Sequence, residues 1–263
     1  MSVPNGFFAW VGFLLEKYGP LFLRGTGVTL EVALTGTVLG FLLGLLVAIL
    51  RTIPLPQGGW LRRLPLRALH LLLNVYIEVF RGTPMIVQSM VLYYGSMMVG
   101  IIGRGTPVLP AAIFIVSINT GAYMAEIIRG GIISVDKGQK EAATAIGLTH
   151  WQSMVRVVLP QAVRNIMPSI GNEFVVNIKD SSVLNVISLG ELYFTGKSAA
   201  GTYGRYFESF AIIACIYLVL TFTVTRLLRL LERKMDGKKH YTICGSQSDS
   251  KAAITITEEE AEA

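Results

Sequence analysis

Five long apolar stretches alternate with polar segments along the chain. They run over about residues 26–50, 66–102, 108–128, 166–189 and 207–228. Each is long enough for a helix that crosses the hydrocarbon core of a bilayer, which takes about 20 residues. The second stretch is interrupted at Arg81-Gly82-Thr83-Pro84, so we expect an interfacial helix over 66–80 and a span over 84–102. The pattern predicts an all-α, polytopic membrane protein with about five transmembrane helices.

Basic residues are distributed unevenly over the segments that join these spans. Fifteen lysines and arginines lie between spans one and two, between spans three and four, and after span five, against five on the opposite side. Because cytoplasmic segments carry the excess of positive charge, we expect the N-terminus outside the cell and the C-terminus in the cytoplasm. This divides the chain into an extracytoplasmic segment over 1–25, a transmembrane domain over 26–235 and a polar, disordered tail over 236–263.

The composition agrees with a membrane protein. Of the 263 residues 52% are hydrophobic and only 15% charged, and the mean hydropathy is +0.56. The net charge of +6 belongs to basic residues beside apolar runs, so it indicates topology and not nucleic-acid binding. Two cysteines, Cys215 and Cys244, and three scattered histidines have no metal-site or disulfide spacing. The N-terminus lacks a basic segment and a cleavage site, so no removable signal peptide is expected.

Three glycines, Gly36, Gly40 and Gly44, recur at every fourth position of the first span. Small residues along one stripe of a helix let two backbones approach closely in lipid. Close packing against another helix is the favoured interpretation, and a pair of sliding helices is the alternative.

The cytoplasmic segment over 129–165 is too long for a simple connection, so it is expected to fold. Either Ser134 or Asp136 is placed to cap a helix over 140–146, and Gly147 supplies a helix stop. Thr149 and Gln152 have capping-box spacing. A second short helix is expected to follow and to end before Pro160. Two short helices joined at a glycine suit docking into a groove of a partner, although they could also lie on the lipid surface.

The same segment carries a motif: Glu141-Ala142-Ala143, then Gly147, then Val157-Val158-Leu159-Pro160. It resembles the EAA loop of ABC importer permeases, with Val157 in place of isoleucine as the only departure. The resemblance implies that the loop over about 134–160 provides a coupling helix that sits in a cleft of a separate ATPase subunit. Gly147 is then the residue at the elbow.

Further motifs resemble the polar amino-acid branch of these permeases, the histidine/glutamine permease family, over about residues 20–235. They are Thr29-Leu30, Glu78-Val79-Phe80-Arg81-Gly82-Thr83-Pro84, Tyr123-Met124-Ala125-Glu126-Ile127-Ile128-Arg129-Gly130-Gly131, Gly171-Asn172-Glu173-Phe174 and Lys179-Asp180-Ser181-Ser182. The resemblance implies a type I ABC importer permease in the bacterial cell membrane that is not itself an enzyme. Its implied partners are two ABC ATPase subunits, an extracytoplasmic substrate-binding protein, and a second copy or homologue that completes the pathway. ATP and Mg²⁺ would be bound by the ATPase, so no cofactor is expected on this chain.

Ionisable residues within the fourth span are the candidates for contact with a substrate. Glu173 and Asp180 are two helical turns apart and share a face, and Lys179 is next to that face. Together with Asn177 they form the predicted substrate pathway, because an amino acid brings both a carboxylate and an ammonium group. The alternative is an ion pair that only stabilises the bundle, for example between Glu173 and a basic residue such as Arg81 or Arg129.

Other polar residues have a structural interpretation first. Glu126 and Arg129 are three residues apart, which favours an intrahelical ion pair over a role in gating. Asn119 and Asn177 are typical of hydrogen bonds between membrane helices, which competes with the pathway role of Asn177. The segment from Gly190 to Ser198 is similar to a phosphate-binding loop but has one residue too many between its glycines.

Three other function classes remain as alternatives. A permease for a different small solute would share the coupling loop. A channel or a transporter driven by an ion gradient would need no such loop. A membrane enzyme would need a cluster of catalytic residues at membrane depth, and the sequence offers none.

Overall fold

The chain folds as a bundle of α-helices in a computed structural model that describes residues 5–53, 55–56, 59–103, 105–236, 241–244 and 253–256. The helices are α1 (Phe7–Thr52), α2 (Trp60–Gly82), α3 (Met85–Met98), α4 (Val108–Ser134), α5 (Lys137–Ala145), α6 (His150–Ser153), α7 (Leu159–Asp180), α8 (Leu192–Tyr203) and α9 (Tyr206–Asp236). A π-helical turn (Met154–Val158) precedes α7 and a 3-10 helix (Ser181–Ile187) follows it. Among the described residues, three helical segments are long and apolar enough to cross a membrane: α1, α4 and the Tyr206–Leu231 part of α9.

The first helix is longer than the sequence pattern predicts. It runs without a break from Phe7 to Thr52, so the segment before residue 26 is helical and continuous with the predicted first span. Trp10, Leu14 and Phe22 explain the extension, because they lie on one helical face and are buried. Leu14 and Phe22 pack in a cluster with residues of α8 and α9.

The glycine stripe is where α1 packs against α4. A methyl group on Gly40 would lie 2.7 Å from Cβ of Thr120, and one on Gly44 would lie 2.5 Å from Cβ of Met124. Gly36, Gly40 and Gly44 are all buried in this contact. The prediction of close helix packing is confirmed, and only glycine leaves room for it.

A sharp elbow between α2 and α3 confirms the predicted interruption. Thr83 is extended and Pro84 is the N-cap of α3. The amide of Gln88 donates to the main-chain oxygens of Phe80 and Thr83, both at 2.9 Å. These bonds satisfy carbonyl groups that the end of a helix leaves without partners. Gln88 in turn accepts from Asn119 of α4 at 2.8 Å, which confirms an interhelical role for that asparagine.

The fourth apolar stretch is less regular than predicted. α7 begins at Leu159 instead of 166, and the chain changes from α-helix to 3-10 helix at Ser181. The 3-10 helix ends at Ile187, and the next residue, Ser188, has a left-handed backbone with φ of 65°. The early start brings Pro160 into α7, where it directly follows the π-helical turn.

The tail differs from the predicted disorder over eight residues. Tyr241–Cys244 and Ala253–Ile256 pair as antiparallel strands, with Tyr241 opposite Ile256. Isoleucine, tyrosine and threonine favour extended backbone, which accounts for the pairing. The remaining residues of the tail after Asp236 lie outside the described residues.

Candidate functional site

The coupling hairpin begins with two capped helices, as its local sequence predicts. The side chain of Asp136, and not that of Ser134, caps α5 by accepting from the main-chain N–H of Gly138 at 2.6 Å. Thr149 and Gln152 form the complete capping box at the start of α6. Its two hydrogen bonds measure 3.3 and 3.0 Å. Both helix starts are therefore fixed by neighbouring residues.

Gly147 ends α5 in a left-handed conformation with φ of 84°. The main-chain N–H of Gly147 donates to Thr144, and that of Leu148 donates to Ala143, at 3.0 and 3.1 Å. This pair of bonds is a Schellman motif, which closes a helix through a residue that is most easily glycine. The predicted elbow at Gly147 is confirmed as geometry.

The hairpin does not end before Pro160, which corrects that part of the prediction. α6 continues through the π-helical turn directly into α7, so no loop separates the coupling hairpin from the membrane helix. The wider π-helical turn lets the chain remain helical where the ring of Pro160 would otherwise meet a carbonyl of the preceding turn. Val158 and Ala162 are buried against Val135 beneath the hairpin.

The motif residues divide between the two sides of the hairpin. Ala143 and Val158 are buried, whereas Glu141, Ala142, Gly147 and Pro160 are exposed and Leu159 is half-buried. Two large apolar side chains also face outward: Ile146 is 78% exposed and Trp151 is 68% exposed. Sequence reasoning did not single out these two residues, although a tryptophan in a short cytoplasmic hairpin is a signal for a binding surface.

Glu173 and Asp180 are half-buried on α7, two helical turns apart on one face. The charge of Arg81 also acts on Glu173. Within the part of the chain that the structure describes, neither carboxylate lies within 4.0 Å of a basic nitrogen. The alternative of a closed ion pair is therefore not seen here, and both signs of charge are present at this face.

Lys179 lies on another side of α7. It lines two cavities beside α9, one together with Tyr217 and the other together with Leu218, and neither Glu173 nor Asp180 is among the residues that line them. Lys179 thus borders grooves that Glu173 and Asp180 do not line, and its place in a wall with these two carboxylates stays a prediction.

Asn177 is 3% exposed and links three helices. Its amide nitrogen donates to the hydroxyl oxygens of Thr37 on α1 and Thr120 on α4, at 2.9 and 3.0 Å. The side chain therefore holds α7 against α1 and α4 through these hydrogen bonds. Of the two interpretations, the interhelical hydrogen bond is the one that this geometry supports.

The predicted pair of Glu126 and Arg129 is present on α4, with Arg129 donating from two nitrogens at 3.0 and 2.8 Å. Glu126 also forms an ion pair with Arg51 at the end of α1, which sequence reasoning missed. Arg81 lies over the ring of Tyr123 of α4, at 5.6 Å from its centre. These contacts tie the ends of α1 and α2 to the same part of α4.

A second missed residue is Glu191, which lies in the segment that is similar to a phosphate-binding loop. Its carboxylate is fully buried and caps α8 by accepting from the main-chain N–H groups of Tyr193 and Phe194, at 2.8 and 2.7 Å. The hydroxyl of Tyr217 donates to it at 2.9 Å. No phosphate site exists at this place, because a side chain of the protein already occupies the helix N-terminus.

Comparison with known proteins identifies the family. A family model described as the binding-protein-dependent transport system inner membrane component matches residues 40–237. The glutamine transport system permease protein GlnP of Escherichia coli is 38% identical over 216 residues, which are 82% of this chain and 93% of that protein. The arginine transport system permease protein ArtQ of Bacillus subtilis is 33% identical with the same coverage.

Solved structures agree. A chain from the crystal structure of an amino acid ABC transporter with histidines is 38% identical, superimposes with a TM-score of 0.75, and covers 89% of this chain and all of that one. A chain of the MetNI methionine ABC transporter in an inward-facing conformation has a TM-score of 0.67 at 21% identity, over 83% of this chain and 98% of that one, and supports the fold alone. The predicted type I importer fold is confirmed. The chain therefore belongs to the family of inner membrane components of binding-protein-dependent transport systems, as a non-catalytic permease subunit of the amino-acid ABC importers.

Proposed function

We propose that this permease subunit crosses the membrane five times, with its N-terminus outside the cell and its C-terminus in the cytoplasm. Two further spans join the three apolar ones. α3 has 14 residues, about 21 Å of helix, and needs the turn that follows it to cross the hydrocarbon core. α7 with its 3-10 extension is long enough but carries charges, which are tolerated at membrane depth where they face a cavity or a partner. The distribution of basic residues supports the orientation.

The coupling hairpin docks into the ATPase subunit. The single observation that carries this proposal is the exposure of Ile146 and Trp151 on a hairpin with fixed helix starts and a fixed elbow. Large apolar and aromatic side chains are the usual anchors of protein interfaces, and a rigid hairpin loses little entropy on binding. Glu141, Ala142 and Gly147 are exposed beside them, and Leu159 and Pro160 join the hairpin to α7. ATP and Mg²⁺ are bound by the ATPase and not by this chain.

The docking proposal is tested by the affinity between the detergent-purified permease and its ATPase. Replacing Trp151 by Ala removes an anchor and is expected to weaken binding about tenfold or more, since an interface anchor contributes about 2 kcal/mol. His150→Ala is the matched control, because His150 is an exposed neighbour on the same short helix. Equal affinity of the Trp151 variant and the wild type would rule out the docking surface.

Glu173 and Asp180, with Arg81 near Glu173, form the substrate pathway. They present both signs of charge without a closed ion pair among the described residues. A zwitterionic amino acid brings an ammonium and a carboxylate group, which such a wall is able to hydrogen-bond as the substrate leaves water. Lys179 faces a different groove, so its predicted role in this wall has less support.

The transported substrate is a polar amino acid, delivered by an extracytoplasmic binding protein. The support comes from the similar permeases, which belong to transport systems for glutamine and for arginine, and from the similar solved structure of an amino acid ABC transporter with histidines. A second copy or a homologue completes the pathway, because one bundle of five helices presents only one wall. Closure of the ATPase subunits on ATP draws the two hairpins together and opens the pathway outward, and hydrolysis reverses the change.

Uptake in proteoliposomes tests the whole proposal. The complex is reconstituted with its ATPase and its binding protein, ATP is placed on the ATPase side, and each of the twenty amino acids is offered. We expect ATP-dependent accumulation of one or a few polar amino acids. Absence of uptake for all twenty amino acids, with the ATPase assembled and active, would exclude an amino acid as the substrate. Uptake driven by an ion gradient without ATP would contradict the importer mechanism.

A further inference from the structure

A deep apolar crevice opens between α1, α4 and α7 at their cytoplasmic ends. Its volume is about 510 Å³. Phe41, Leu45 and Ile49 of α1 form one wall, Ile128 and Ile132 of α4 form the second, and the first turns of α7 form the third. Arg164 is the one charged residue among those that line it. The crevice is separate from the surface that carries Glu173 and Asp180.

The crevice exists because the three helices meet at one point and diverge beyond it. Ile128 and Ile166 are buried together with Ala48. Gly131 allows α4 to approach the side chain of Ile166 so closely that a methyl group there would clash. On the outer side of this contact, Ile49 and Val163 remain 43% and 37% exposed. The crevice is therefore open to whatever surrounds the chain.

Its surroundings follow from the orientation argued under the proposed function, on which this inference rests. Ile49 is two residues before Arg51 at the cytoplasmic end of α1, and α7 enters the membrane beside it. The crevice consequently lies at the depth of the inner leaflet. Water is not a stable occupant, because an apolar cavity offers it no hydrogen-bond partners. A hydrocarbon chain is the occupant that both the depth and the apolar lining favour.

Arg164 identifies the chemistry of the other end of the ligand. It is exposed at the rim of the crevice and has no carboxylate within 4.0 Å among the described residues. A free guanidinium at the cytoplasmic surface attracts anionic headgroups and binds a phosphate with two parallel hydrogen bonds.

We propose that the crevice binds an anionic phospholipid of the inner leaflet, with one acyl chain between α1, α4 and α7 and its phosphate on Arg164. Leu159 and Pro160 line the same crevice. The bound lipid would thus contact the place where the coupling hairpin joins α7. A complex that retains the lipid is expected to couple ATP hydrolysis to uptake more efficiently than a complex stripped of it.

The test is native mass spectrometry of the purified permease–ATPase complex, titrated with phosphatidylglycerol or phosphatidylcholine. Wild type is expected to retain phosphatidylglycerol at least fivefold more strongly than phosphatidylcholine. Arg164→Gln is expected to abolish that preference, and Val163→Trp, which fills the mouth of the crevice, to reduce binding of both lipids. Arg67→Gln is the control, because Arg67 is another exposed arginine that does not line the crevice.

Three outcomes would overturn the proposal. Equal retention of the two lipids by wild type would leave no headgroup site, and unchanged retention in Arg164→Gln and Val163→Trp would place the lipid elsewhere. Efficient cross-linking between two copies through Val163→Cys in membranes would show that a second copy covers the crevice. Retention of the ATPase and an unchanged melting temperature verify folding. Amino-acid uptake by wild type is measured separately, so failure of the lipid site and failure of the transport function are distinguishable.

Discussion

The contact between α1 and α4 is tightly and regularly packed, whereas α7 is irregular and carries charges within the same membrane domain. α1 and α4 meet along glycines, with regular helical backbone and side chains in direct contact. α7 is preceded by a π-helical turn, followed by a 3-10 helix, and carries two carboxylates without an ion-pair partner within the described ranges. Tight and regular packing suits a frame that stays fixed, whereas irregular backbone and charges without a closed ion pair suit an element that moves or meets a substrate.

The largest loss of stability is expected from a bulky side chain placed in the contact between α1 and α4. Gly40→Leu places a side chain where a methyl group would already lie 2.7 Å from Thr120. Overpacking of a tight contact costs about 3 kcal/mol, so we expect loss of assembly or a strongly lowered melting temperature in detergent. Gly27→Leu is the control, because Gly27 is exposed on the same helix and has no described atom within 4 Å of that position. Similar losses for both variants would mean that α1 and α4 are not packed this way.

A smaller loss is expected where α7 is tied to the frame. Asn177→Leu removes the amide that bonds Thr37 and Thr120. Loss of buried hydrogen bonds costs about 2 kcal/mol, partly offset because Thr37 keeps its bond to the main-chain oxygen of Ala33. Melting temperatures measure this, with Asn172→Leu as an exposed control on the same helix. If the Asn172 variant were equally destabilised, Asn177 would have no special part in holding α7.

For Glu173 we expect a change in transport without a change in stability. Glu173→Gln keeps the shape of the side chain and removes its charge, so the melting temperature should stay unchanged while uptake falls. We expect kcat/KM for transport to decrease about tenfold, which corresponds to about 1.4 kcal/mol. Glu16→Gln, at an exposed carboxylate of α1, is the control. Unaltered uptake kinetics in the Glu173 variant would exclude this carboxylate from the pathway.

The smallest effect is expected at the hydrogen bond between α9 and the cap of α8. Tyr217→Phe removes one of the donors to the buried carboxylate of Glu191, which also caps α8. One hydrogen bond to a charged group contributes about 1.5 kcal/mol or less, so we expect a melting temperature lowered by a few degrees and normal uptake. Tyr206→Phe, at an exposed tyrosine of α9, should have no effect. A decrease in uptake without loss of stability would instead assign Glu191 to the pathway.

The parts of the fold that the sequence predicts well are those decided by neighbouring residues. Asp136, Gly147 and Thr149 act on main-chain groups two to five residues away, so the caps and the elbow follow from local rules. The break before Pro84 is equally local. The spacing of the glycines was also sufficient to predict close packing of one face of α1. It did not identify α4 as the helix that packs there.

The parts that were missed depend on residues far apart in the chain. Arg51 and Glu126 are separated by 75 positions, and Glu191 meets Thr29 and Tyr217 from two other helices. The extension of α1 to Phe7 depends on packing against α8 and α9. The hydropathy pattern of one helix cannot predict such contacts, because it shows which face is apolar but not which other helix packs against that face.

The π-helical turn before α7 has a mechanical consequence. A flexible loop would absorb a displacement of the coupling hairpin, but here the helix of Trp151 continues without a gap into the helix of Glu173. About 21 Å of α-helix separates Leu159 from that carboxylate. The unit therefore resembles a lever with its pivot where α7 crosses the glycine-packed pair. If Glu173 lies in the substrate pathway as proposed, a push at the cytoplasmic surface would reach it through continuous helix, with Pro168 as the place within that stretch where α7 is able to bend.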